Sequence, residues 1–209
     1  EETGSAKPIE YPKAVFTEAM KRDKDYTILA PEMSPIHFPI IEAAVQREGY
    51  HIEIIPPIHE DIDKGLSCVN NDACYPAIIT IGSLMRALTS GKYDLSKTAV
   101  MLSQTGGMCR ASNYVGFLHK ALDEAGLSDI PVISLNTHGF EPQPGFHFSL
   151  SMGRRMIQAV IYGDALQQCL YRTRPYEKEP GSAETLCRSW QKRCIEAILS
   201  GESYTSYKK

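Results

Sequence analysis

The residues of this chain best suited to chemistry are three cysteines held in two loops. The first loop reads Cys68-Val-Asn-Asn-Asp-Ala-Cys74-Tyr-Pro76, and the second reads Gln104-Thr-Gly-Gly-Met-Cys109-Arg-Ala-Ser-Asn-Tyr114. Three thiols on one rim could hold an iron–sulfur cluster or another thiophilic metal. Pro76 suits the first turn of a helix, which places Cys74 just ahead of that helix. Cys109 also precedes a predicted helix and sits beside Arg110. Helix N–H groups and a nearby cation both favour the thiolate, the form that binds metal. Gly106 and Gly107 would let the backbone approach a bulky group closely. The spacing contains no Cys-x-x-Cys pair, so it is not a zinc-ribbon pattern. On spacing alone, a metal site and three small buried side chains remain equally open.

Those loops need elements to position them. Apolar runs at 26–31, 51–56, 98–103 and 131–136 read as strands. Between them, 36–48, 76–90 and 111–125 carry a helical period, and Gly49, Gly91 and Gly126 stand where helix stops belong. Strands alternating with helices of this length imply right-handed crossovers and a parallel sheet covered on both faces. The expected fold class is α/β, a small flavodoxin-like or Rossmann-like sandwich over residues 26–150. Residues 1–25 read as a polar N-terminal extension with a short helical stretch at 13–21. Helical patterns at 149–171 and 182–199 read as a C-terminal helical extension over 151–209, packed on the sheet domain or on a neighbouring one. In a parallel sheet all strand-to-helix loops fall at one edge, so Cys68, Cys74 and Cys109 are expected at that edge. The stretch between the second strand and Cys74 reads as a long loop containing His59, Glu60 and Asp61.

The bulk numbers agree with one ordinary domain. The chain has 209 residues, 43% of them hydrophobic and 22% charged, with a net charge of -3. That charge gives no electrostatic case for nucleic acid. No apolar stretch reaches the ~20 residues a membrane span requires, and residues 1–12 lack the apolar core of a signal peptide. The expected setting is a reducing cytoplasm, where clustered cysteines more often signal metal or redox chemistry than bridges. The first residue is Glu, which fits either a processed chain or a piece of a longer protein.

At this point the motifs become specific. Val-Asn-Asn-Asp-Ala-Cys74-Tyr-Pro-Ala, Gly-Lys-Tyr-Asp94, Ser-Gln-Thr-Gly-Gly-Met-Cys109-Arg-Ala-Ser-Asn-Tyr114 and Pro-Val-Ile-Ser-Leu-Asn136 resemble the large activase-like proteins related to 2-hydroxyacyl-CoA dehydratases. Tyr162-Gly-Asp-Ala-Leu and Leu170-Tyr-Arg-Thr-Arg-Pro-Tyr176 extend the resemblance, which spans most of residues 26–195. It implies an oxygen-sensitive cytoplasmic protein of anaerobic metabolism with an iron–sulfur cluster, 4Fe-4S or double-cubane, on cysteine thiolates. It also implies an ATPase partner that delivers a low-potential electron for an acyl-CoA dehydratase. Cys68, Cys74 and Cys109 are the ligands the resemblance implies. The chain departs from the family in two ways. It lacks the ATPase domains and the further cysteine-bearing segment that precede this region in the large family members, and with no Gly-x-x-x-x-Gly-Lys-Ser/Thr phosphate loop of its own it is not expected to hydrolyse ATP or to catalyse alone. It also holds one domain where the dehydratase subunits place ligands on two facing ones, so a complete site would need a second half and the isolated domain could stand empty. Met108 stands where another glycine is expected.

Gln104, Gly106, Gly107, Ser112 and Asn113, with Thr105, are the expected cofactor neighbours, able to bond to cluster sulfides or a substrate carbonyl. Capping is the favoured role for one of Ser112 and Asn113. Asn70, Asn71 and Asp72 suit a turn. His59 and His138 are expected to be plain surface histidines. Arg154, Arg155, Arg172 and Arg174 could meet a CoA phosphate, with a solvated helix face as the default. Cys169, Cys187 and Cys194 read as core packing. Two rival functions stay open: an interaction domain docking a dehydratase or ATPase partner, and a binder of a small phosphorylated ligand. The second is weakened by the absence of Gly-x-Gly-x-x-Gly.

Overall fold

In a computed structural model the described residues are 13–70, 72–104, 109–136 and 143–201. Four parallel strands form one sheet in the order β2-β1-β3-β4. They are β1 (Thr27–Pro31), β2 (Ile52–Ile55), β3 (Thr98–Gln104) and β4 (Val132–Asn136). The register pairs Ile28 with Ile52, Thr27 with Thr98, and Val100 with Val132. The chain steps from β1 to one side and then crosses to the other, which is the doubly wound arrangement of flavodoxin-like and Rossmann-like proteins.

Strand side chains alternate between faces, and two core halves follow from that period of two. On one face Leu29, Val100, Leu102 and Val132 pack against α4 (Tyr75–Thr89) and α5 (Tyr114–Glu124). On the other, Ile28, Ala30, Ile52, Ala99, Met101 and Ile133 meet Val45 of α2 (Phe38–Gln46) and Met152 of α6 (Leu150–Thr173). The helix stops lie where the sequence places them: Gly49, Gly91 and Gly126 all take φ between 69° and 86°, a region open to glycine at little cost.

The ends of the chain join this body. Phe16, ahead of α1 (Glu18–Arg22), is buried against Tyr26 with their rings edge to face. Its carbonyl accepts from Gly145 N–H at 2.9 Å. α6 and α7 (Ser182–Ser200) pack on α2 through Ile40, Ala43, Ala44, Ala159, Tyr162 and Ile198. The C-terminal helices therefore cover the sheet domain itself.

One element differs from the sequence reading. Residues 60–68 form a helix, α3 (Glu60–Cys68), where a loop was expected. Gly65 of α3 lies against Ile78 of α4, and Gly82 of α4 lies against Asp61 of α3, so the two helices run antiparallel with their backbones touching. The Asp61 carboxylate is fully buried. It accepts from Ile58 N–H at 2.8 Å and from Arg86 Nε at 2.5 Å. A side chain paired on the next helix holds α3 in place, and a single-element period scan does not register such a tertiary tie.

A second close contact seats α6. The His37 ring sits over Gly163, donating or accepting with Ser34 Oγ at 2.8 Å and Asp164 Oδ1 at 3.0 Å. A Cβ on Gly163 would lie 2.2 Å from the ring. Gly163→Ala is expected to push His37 off both partners and to destabilise the fold by about 2 kcal/mol, read by thermal unfolding. An unchanged Tm would show that the ring can move aside at no cost.

Candidate functional site

The site is built from helix beginnings. α4 and α5 are neighbours on one face, and both follow segments at the carboxyl edge of the sheet. Cys74 is the N-cap residue of α4, with extended backbone, and its carbonyl accepts from Ala77 N–H at 2.9 Å. Its sulfur makes no capping bond. Instead Cys74 Sγ lies 3.3 Å from the hydroxyl of Tyr114, the first residue of α5. Cys109 is exposed and precedes a 3-10 turn at 110–113, where its carbonyl accepts from Ser112 N–H at 3.0 Å.

Between the two starts lies an open cavity of about 410 Å³, lined by Asn70, Asp72 and Ala73 on one side and by Cys109, Ser112 and Asn113 on the other. Burial, then the hydrogen bond to Cys74, then the charges on Cys74 and Cys109 push the Tyr114 phenol far above its usual range. Cys74 lies beside Tyr114, and Cys109 lines the same cavity as Asn70, Asp72 and Ala73, the residues that lead into Cys74. Either group of the Tyr114–Cys74 pair can donate to the other.

Cys68 differs from the other two. It is the last residue of α3, at the carbonyl end of that helix, and lies partly buried against the α4–α5 core. Cys68 thus closes a helix, whereas Cys74 and Cys109 stand at beginnings. Among the described residues no group of three His, Cys, Asp or Glu side chains is spaced to hold a metal ion. Cysteine sulfur is the donor a thiophilic metal takes, and Cys74 and Cys109 are the two cysteines that stand ahead of helical segments here.

The remaining candidates fall as follows. Thr105, Gly106, Gly107, Met108, Asn71 and His138 lie outside the described residues, as do the side chains of Gln104 and Arg110. Asn113 occupies the N-cap position of α5 but makes no capping bond, which corrects the capping expectation. Its amide oxygen lies over Gly116, where a Cβ would meet it at 2.5 Å. His59 is exposed at the start of α3, as expected. Arg155 binds Glu48 Oε1 at 2.6 Å and so ties α6 to the end of α2, while Arg172 and Arg174 are exposed. Cys187 is buried and Cys194 half-buried, and burial raises both thiols above their usual range. Cys169 is a correction: it is exposed, on the wall of an apolar cleft of about 290 Å³ between α6 and α7 that also holds Leu186 and Trp190.

Two features escaped sequence reading. Tyr114 was visible only as the last letter of a motif, because nothing in the sequence says its hydroxyl meets a sulfur 40 residues earlier. The Ser34–His37–Asp164 chain joins two elements far apart in sequence. Asp164 is 72% exposed, so the chain reads as a clamp between α2 and α6, unlike the buried carboxylate that orients a catalytic histidine. The crevice between β1 and β3, where doubly wound sheets often bind ligands, is bridged by Ser103 Oγ donating to Met33 Sδ at 3.8 Å.

No family model, curated protein or solved structure matches this chain. No helix among the described residues is long and apolar enough to cross a membrane.

Proposed function

We propose that this domain supplies cysteine ligands to an iron–sulfur cluster used in ATP-coupled, low-potential electron transfer, as part of a system like the 2-hydroxyacyl-CoA dehydratase activases. The observation that carries this reading is the placement of Cys74 and Cys109 each at the beginning of a helical segment, with Cys109 lining the open cavity that Asn70, Asp72 and Ala73, the residues leading to Cys74, also line. Cys74 and Cys109 would hold the cluster from this side. Cys68 enters as a third ligand from the sequence resemblance alone, and the remaining ligands come from a facing domain or subunit. When bound, the cluster supplies one-electron chemistry. The residues of this chain orient the sulfurs: both cysteines precede helical segments, and the Tyr114 hydroxyl lies 3.3 Å from Cys74 Sγ. The ATPase modules and the dehydratase are the proposed partners, in an anaerobic cytoplasm.

The intact natural protein, purified without oxygen, is expected to carry iron and acid-labile sulfide, and Cys109→Ala should reduce both to background. Iron at background in the unaltered protein would remove this reading.

A second reading, a docking domain, is supported by a separate surface. Leu150 is 81% exposed and Ile157 64%, and Val160 and Ile161 extend the same apolar face of α6. On that reading, Ile157→Glu combined with Ile161→Glu lowers association with the ATPase or dehydratase partner while leaving iron content unchanged.

A further inference from the structure

The outer side of α6 carries a pattern of its own. Leu150, Arg154, Ile157, Ile161, Asp164 and Gln168 follow one another at alternating spacings of four and three. Residues so spaced form one stripe, here along ~27 Å of helix, and the spacing is that of a coiled-coil seam. All six are exposed. The charges on the stripe say what covers it. In a parallel pair of α6 helices each residue would meet its own copy, so Arg154 would face arginine and Asp164 would face aspartate. In an antiparallel pair centred at the level of Ala159, Arg154 lies level with the partner's Asp164, and Ile157 with the partner's Ile161. The stripe is therefore complementary to itself in one direction only. His37 already holds the Asp164 carboxylate at 3.0 Å, and 72% of that side chain is still exposed.

We infer that α6 is a self-association surface, on which a second copy of this chain packs with its own α6 antiparallel, as a two-fold dimer. Two isoleucine layers supply the apolar burial at its centre, and Val160 meets its own copy beside the axis. The two Arg154–Asp164 layers fix direction and register, the use polar seam residues have in paired helices. Leu150 reaches the level of the partner's Gln168. Cys169, the next residue, lines the apolar cleft between α6 and α7, so the cleft mouth lies at the edge of the same contact. α6 packs on the sheet face opposite α4 and α5, and this dimer leaves the edge with Cys74 and Cys109 open.

The test is the mass of the intact natural protein in solution, read by sedimentation equilibrium over a dilution series. The unaltered protein is expected at twice the chain mass. Arg154→Asp and Asp164→Arg, each alone, put like charges into both layers and should weaken association about a hundredfold. Mixed in equal amounts, the two variants set aspartate against arginine in both layers and should return to the dimer mass. A monomeric unaltered protein would overturn the inference and leave this face to a different partner. A mixture no better associated than its components would overturn it too. If Asp164→Arg does not fold without its His37 contact, Arg154→Asp decides alone, and an unchanged dimer constant overturns the inference. Neither iron nor the cysteines enter the measurement, so its failure and that of the cluster reading are separate results.

Discussion

Gly82→Ala is expected to destabilise the protein by about 3 kcal/mol, although alanine is the better helix former by about 1 kcal/mol. The steric term decides the sign. A Cβ at residue 82 would lie 1.9 Å from the carbonyl oxygen of Asp61 and 2.9 Å from the backbone nitrogen of Gly65. Both obstacles are backbone, so no side chain can turn aside, and α3 and α4 would have to separate by more than an ångström. Closely packed interiors resist such a shift. The hairpin of α3 and α4 carries Cys68 and Cys74 at its joined end, so separation also moves the first cysteine loop away from Cys109. Chemical denaturation should show a lower midpoint with an unchanged slope, and iron content, where present, should fall with it. Equal stability of the variant would mean that the helices are not in backbone contact.

Asp61→Ala is expected to cost about 3 kcal/mol, for a different reason. The carboxylate is fully buried and satisfies three donors: Ile58 N–H, Arg86 Nε, and Arg86 Nη2 at 3.4 Å. Removing it leaves Arg86 with the Pro56 carbonyl at 3.1 Å as its remaining partner of the group, and leaves the turn at Ile58 without its acceptor. Arg86 is 30% exposed, so water recovers part of the loss. The double replacement Asp61→Ala with Arg86→Met should cost less than the two single changes added together, because the second change removes the orphaned charge. Strict additivity would show that the pair contributes no coupling. Both substitutions act on the seat of α3 and lie away from the cysteines, so their effect on the site is through position.

The ordinary elements were legible because local rules decide them. The strand at 98–103 is apolar throughout and bounded by polar residues, and it is β3. The helix expected at 76–90 begins one residue earlier, at Tyr75, with Pro76 in its first turn, and ends before Gly91. α3 was not legible. Its sequence, Glu60-Asp-Ile-Asp-Lys-Gly-Leu-Ser-Cys68, contains an internal glycine that argues against a helix, and that glycine is there because Ile78 of another element needs the space. The three C-terminal cysteines show the same boundary. A period seven residues long puts Cys187 and Cys194 on one face of α7, and both are at least partly buried. Cys169 lies on α6, and its exposure depends on where α7 crosses.

The sequence by itself determined the α/β class, the parallel sheet, and the placement of Cys74 and Cys109 ahead of helical segments, because periodicity, proline and glycine act within a few residues of themselves. Only the tertiary structure decided that Tyr114 meets Cys74, that Asp61 is buried with Arg86, and that Cys68 closes a helix where Cys74 opens one. Those facts depend on which faces of separate elements touch, and side-chain contacts across 25 to 40 residues of chain are set by packing, to which no local pattern is sensitive.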